Sequence, residues 1–103
     1  MIIETLPDHE NRYGITIDKT SARTDAYGFL IVICEAKAIS GSSIKQDIEI
    51  QCALYDENGF PVDSSSEYLS SEEFFQFQLI KFDFAEEGLS QLVRKIKIYP
   101  KMR

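Results

Sequence analysis

Along most of this chain apolar and polar residues alternate one by one. Tyr13, Ile15 and Ile17 share one parity, with Gly14, Thr16 and Asp18 on the other. Ile44, Ile48, Ile50, Cys52 and Leu54 also share a parity, interleaved with Lys45, Asp47, Glu49 and Gln51. Near the end, Ile96 and Ile98 alternate with Lys95 and Lys97. A strand sends successive side chains to opposite faces, whereas a helix repeats every 3.6 residues, so this pattern predicts half-buried strands. The breaks between them carry turn chemistry. Asp56-Glu57-Asn58-Gly59 precedes Phe60-Pro61-Val62, and because Asn and Gly tolerate left-handed backbone it is the strongest hairpin signal in the chain. Ser40-Gly41-Ser42-Ser43, Ser64-Ser65-Ser66 and Ser70-Ser71 mark looser connections. Residues 83–91, with Ala85-Glu86-Glu87-Gly88-Leu89, are the one stretch that admits a short helix.

The strands predicted in this way are 2–5, 13–19, 28–38, 44–56, 60–63, 73–82 and 92–99. No long helix is available for parallel crossovers, and turn signals recur at the spacing of a sandwich. The expected fold is all-β: an antiparallel immunoglobulin-like β-sandwich of about seven strands, with at most one short helix, in one domain over 1–103. A small open barrel is the alternative. With 103 residues, the chain is long enough for one core without metals or crosslinks. Seven Phe and five Tyr, without Trp, suit a pleated, half-buried surface.

Leu54-Tyr55-Asp56 followed by Gly59 resembles the FxLYD family, small bacterial domains with an immunoglobulin-like look. Cys52 stands where the Phe of that motif would be, and Ser71-Glu72 where a Gly-Glu would be. Phe75 and Phe77 fit its Phe-rich strand. The likeness spans roughly residues 28–80 and implies a β-sandwich without catalytic activity. Members of that family mostly carry export signals. Here Met1-Ile2-Ile3 is followed at once by Glu4, with no basic or apolar leader region, so a cytoplasmic protein is expected if Met1 is the native start.

Charge narrows the class of partner. The chain carries a net charge of −6, and residues 46–93 hold eleven acids against Lys81 alone. The last ten residues hold Arg94, Lys95, Lys97, Lys101 and Arg103 and no acid. Binding to phosphate backbones or anionic lipid needs a basic face, and an acidic bulk repels both, so neither nucleic acid nor membrane is expected as a partner.

Cys34 and Cys52 sit in apolar surroundings, Val32-Ile33-Cys34 and Ile50-Gln51-Cys52-Ala53-Leu54. They read as buried free thiols; a disulfide or a reactive thiol are the other readings. The only histidine, His9, lies in Pro7-Asp8-His9-Glu10-Asn11 and reads as a polar loop residue. The serine clusters follow no nucleophile pattern. Asp56, Asn58 and Asp63 faintly resemble a calcium loop but lack its terminal bidentate Glu. No catalytic set, cofactor site or metal site is therefore assigned, and the expected class is non-enzymatic.

Phe29-Leu30-Ile31-Val32-Ile33-Cys34 is apolar at both parities. Leu30, Val32, Cys34 and Ala36 fill a core, so Phe29, Ile31 and Ile33 must face outward. Phe74-Phe75 and Phe82 to Phe84 repeat the pattern later in the chain. A loop, a short helix or the N-terminal segment covers that face, or else it is an interface. The candidate interface is Phe29, Ile31, Ile33, Phe74 and Phe82. The expected function is a binding module for a protein partner or for a second copy, as a homodimer. The alternative is an acidic mimic that blocks a basic groove on a target.

Overall fold

The computed structural model describes residues 1–102. Seven strands and two short helices follow one another as β1 (Ile2–Thr5), α1 (Pro7–Tyr13), β2 (Ile15–Thr24), β3 (Leu30–Ala38), β4 (Ile48–Tyr55), β5 (Pro61–Leu69), β6 (Phe77–Phe84), α2 (Leu89–Leu92) and β7 (Lys95–Met102). The first sheet has the order β1-β7-β4-β5, the second β2-β3-β6. Among the described residues no ladder joins the two sheets, so the fold is a sandwich rather than a barrel. The all-β, two-sheet arrangement of seven strands is the one the alternation predicts.

The core follows the parities of the sequence. Ile15 and Ile17 of β2, Leu30, Val32, Cys34 and Ala36 of β3, and Ile80, Phe82 and Phe84 of β6 meet Ile48, Ile50, Cys52 and Leu54 of β4 and Ile96 and Ile98 of β7. Each set alternates with solvent-facing residues, which is why period two was the dominant signal.

The wiring has features of its own. Immunoglobulin domains place their second and third strands in different sheets, whereas here β2 and β3 form a hairpin within one sheet. β1 and β7 pair in parallel, Ile3 opposite Ile96; every other pair is antiparallel. A parallel pair needs a long connection, and the first and last strands have the whole chain between them.

Both hairpins close with the same loop. In Asp25-Ala26-Tyr27-Gly28-Phe29, Gly28 N–H donates to Asp25 O at 3.1 Å and Asp25 N–H to Phe29 O at 2.9 Å. In Asp56-Glu57-Asn58-Gly59-Phe60 the equivalent bonds measure 3.1 and 3.0 Å. In each loop the aspartate Oδ1 accepts two further backbone N–H groups, from Tyr27 and Phe29 or from Asn58 and Phe60. Gly28 and Gly59 have φ of 84° and 82°. This is a three-residue loop ending in a left-handed glycine. Asn58 keeps negative φ, so the turn is not the two-residue Asn-Gly form the sequence suggested.

Several boundaries depart from expectation; β2, for one, runs on to Thr24 and β4 begins only at Ile48. Residues 7–11, read as a polar loop, and Tyr13, read as the start of a strand, belong to α1, with Pro7 at its start and Gly14 in the left-handed conformation after it. Its one buried side chain is Glu10, so no apolar stripe announces it. β5 runs on through Ser64-Ser65-Ser66 to Leu69, because the β4 ladder satisfies its backbone whatever its side chains. β6 begins at Phe77 rather than at residue 73, since residues 70–76 form a turn in which Phe74 N–H donates to Ser70 O at 2.9 Å. No helix among the described residues is long and apolar enough to cross a membrane.

Candidate interaction surface

The outer face of the second sheet is where the doubly apolar β3 must show its other side. Ile31 lies there between Arg23 of β2 and Asp83 of β6, and Ile33 between Ser21 and Lys81. An ion pair, Lys81 to Asp83 at 3.7 Å, spans this part of the face, and Lys19 approaches Glu35 at 3.9 Å further along it. Ile31 is only 6% exposed, and Phe29 and Ile33 are half-buried. α1 packs instead against β2 and β7. Ile31 is thus screened by its neighbours within the sheet, whose charged side chains border an apolar stripe.

Two residues assigned to this surface from the sequence are not on it. Phe82 stands opposite Val32 in the β3–β6 ladder, on the core face, and is fully buried. Phe74 turns its ring into the same core at the end of the 70–76 turn. Phe82 shares its parity with Ile80 and Phe84, so one β6 face is complete without any outward member of that set.

The opposite parity of β6 shows what sequence reasoning missed. Phe77 is 56% exposed and Leu79 66%, and Phe75, just before the strand, is 68% exposed. Phe77 lies opposite Lys37 and Leu79 opposite Glu35, on the outer face. The local geometry is firmly held. Gln76, at φ 65°, donates its N–H to Ser42 O at 2.7 Å and accepts the Ala38 N–H at 2.9 Å. Phe77 N–H reaches Phe75 O at 2.7 Å and closes a γ-turn across Gln76. Ser71 secures the start of the turn, its N–H and hydroxyl donating to Asp47 Oδ1 at 2.8 and 2.9 Å. The signal for the missed residues is present in Phe77-Gln78-Leu79-Ile80-Lys81-Phe82: once Ile80 and Phe82 are assigned inward, Phe77 and Leu79 must point out.

The other side chains singled out above are occupied with structure. His9 is on α1, edge-on to the Tyr99 ring with centroids 6.3 Å apart. Asp56 spends Oδ1 on its own loop. Among the described residues no three His, Cys, Asp or Glu side chains gather as a metal-binding group. The basic C-terminal strand lies inside the first sheet, where Lys95 meets Glu4 at 3.0 Å, Lys101 meets Glu49 at 3.7 Å, and Lys97 lies over the Tyr55 ring at 5.2 Å. Its charges are therefore shared out among neighbouring strands. Cys34 and Cys52 are free and buried. Burial pushes both thiols up to about 12, helped at Cys34 by the charges of Asp18 and Glu10, and an undissociated thiol is a poor nucleophile.

Glu10 was not anticipated. Its carboxylate is buried, with Oε1 accepting the Ile17 N–H at 2.7 Å and Oε2 without a hydrogen-bond partner. It fastens α1 to β2, the strand at that margin of the second sheet. A wide depression of about 380 Å³, lined by Arg12, Tyr13, Ile39, Ile44 and Lys45 among others, opens beside the end of α1.

No family model matches the chain, and no curated protein matches it either. Among solved structures it is similar to a DUF1425 family member from Shewanella sp. pv-4, with a TM-score of 0.58 and 16% identity over 86% of this chain and 78% of that one. At this identity the likeness is one of fold: a second sequence with little in common folds into the same all-β arrangement.

Proposed function

We propose that this protein is a non-enzymatic interaction module whose contact surface is the outer face of β6 and the turn before it. The observation that carries this reading is the exposure of Phe75, Phe77 and Leu79 together. Three large apolar side chains lie largely in water on one strand and its turn, and apolar groups exposed together on a monomer usually mark a partner site. Aromatic anchors of this kind supply much of the binding energy at interfaces. Ile33, at the margin of the same face, extends the surface toward β3.

A photo-crosslinking side chain at position 77 or 79, introduced in living host cells, tests this. Discrete adducts from those positions, with none from position 64 or 66 on the outer face of the first sheet, are the expected result. Equal labelling at all four positions overturns the proposal. A second reading, an acidic mimic that fills a basic groove, draws on the exposed carboxylates of Glu57, Glu72, Glu73, Glu86 and Glu87. Leu79→Lys separates the two, because a mimic keeps its partner when the apolar patch is interrupted, and a contact through β6 does not.

A further inference from the structure

The two sheets end unevenly. On the α1 side the margins are protected: β1 has four residues, β2 is broken by a bulge between Asp18 and Ser21, and Glu10 occupies the Ile17 N–H. Short, bulged or covered edges are how sheets avoid pairing with other chains. The opposite side differs. β6 is last in its sheet, and its pairing with β3 runs unbroken from Phe77 to Phe84 without bulge or proline. Among the described residues no strand pairs with its other edge.

β5 of the facing sheet comes close to β6 without pairing with it. Ile50, Cys52 and Leu54 of β4 are fully buried beneath the second sheet. Their cross-strand partners on the same face are Glu67, Ser65 and Asp63 of β5. Glu67 and Asp63 are exposed and Ser65 is half-buried, whereas Leu69 on the same face is in the core, so along residues 63–67 the second sheet leaves β5 uncovered. Gln78 of β6, on the core parity opposite the buried Ala36, is exposed as well.

From this we infer that β6 receives an extended segment of another protein as a fourth strand, and that this segment alternates large apolar residues with lysine or arginine. The inference rests on the reading of β6 as the contact surface. An added strand would lie over the inner face of β5, where its inward residues meet Asp63 and Glu67, while its outward residues continue the surface of Phe77 and Leu79. Main-chain bonds along the edge supply affinity, and alternate side chains supply specificity. The charge selects the occupant. Glu72 and Glu73 flank one end of β6 and Glu86 and Glu87 the other. The bases nearest it on the outer face are Lys81, paired with Asp83, and Lys37 opposite Phe77; Arg23 and Lys19 lie further across the sheet, Lys19 beside Glu35. A second copy would bring the same acids and a net charge of −6, whereas a basic segment is drawn to the site.

The test uses the full chain and labelled peptides of alternating lysine and valine, followed by fluorescence anisotropy. Replacing every lysine by glutamate, or grouping the lysines and valines into two blocks, should weaken binding by about tenfold or more. Alternate N-methylation of the peptide should abolish binding in one of its two phases, since one set of amides faces β6. Asp63→Asn with Glu67→Gln should weaken it by about fivefold or more at an unchanged melting temperature. No binding of the alternating peptide, equal binding of the block peptide, or indifference to N-methylation overturns strand addition. If the peptide fails while crosslinks at position 79 persist, the contact surface stands and this mode of use falls. A concentration-dependent dimer in sedimentation, lost in Leu79→Lys, makes the occupant a second copy and also overturns the inference.

Discussion

Cys34 on β3 and Cys52 on β4 face one another's sheets across the core, and both keep their protons to about pH 12 because burial penalises the thiolate. In the unfolded chain a thiol ionises near its ordinary value, 9.0. Between those limits the folded state binds more protons than the unfolded one, so stability falls as the pH rises above about 9 and is unaffected by the thiols below it. The double variant Cys34→Ala/Cys52→Ala should therefore lose less melting temperature than the wild type between pH 8 and about 10.5. Alkylation adds a second check: two labels after unfolding in the absence of reductant, and almost none in the folded protein. Parallel pH curves for the two proteins would show that the thiols are not shielded. At this scale the cysteines were readable from their apolar neighbours. Glu10 was not, because a carboxylate in a polar heptapeptide gives no hint that tertiary packing will bury it.

The two hairpins make the case for elements. Gly28 and Gly59 both take left-handed backbone, and a Cβ at either position would meet nothing within 4 Å. The cost of a substitution is thus conformational and not steric crowding. Gly28→Val and Gly59→Val should each destabilise by about 1–2 kcal/mol in urea unfolding, and by similar amounts, since the loops share one geometry. Asparagine at either position should recover most of the loss. A neutral valine variant would mean that its loop is built differently. The Asp56–Gly59 hairpin was legible because its Asn-Gly is a familiar turn signal. Its twin at Asp25–Gly28 was not, because Ala26-Tyr27 hides the same aspartate and glycine spacing. α1 and the second half of β5 were illegible for a related reason: neither carries an apolar rhythm, and each is held by other elements, α1 by β2 and β7 and β5 by β4.

For the whole molecule, what matters is which side of each strand the other sheet covers. Phe82 and Phe77 stand on one strand and look alike in sequence. Phe82→Ala opens the core, where the ring is fully buried, and should cost about 3–5 kcal/mol. Phe77→Ala removes a ring more than half exposed and should change stability by no more than about 0.5 kcal/mol. Urea unfolding of the two variants decides this; similar losses would place Phe77 in a second core. The same contrast explains why Phe74 and Phe82, expected at the surface from their sequence, lie in the core. Their apolar character is plain, but which parity of this stretch the first sheet covers is not written in it.

By itself, the sequence determined the strand content, the two-layer architecture, the parity of the core and the inert surroundings of the thiols. These are local consequences of a backbone that turns each side chain opposite to the last, so neighbours a few residues apart suffice to read them. The tertiary structure alone decided the parallel β1–β7 pair, the burial of Glu10, the screening of Ile31 and the exposure of Phe75, Phe77 and Leu79. Each of these follows from contacts between different elements rather than from a residue's own neighbours in the chain. Above all, the second sheet has three strands and the first has four. A strand's own residues record which of its faces is apolar; whether that face is covered depends on where the neighbouring sheet ends.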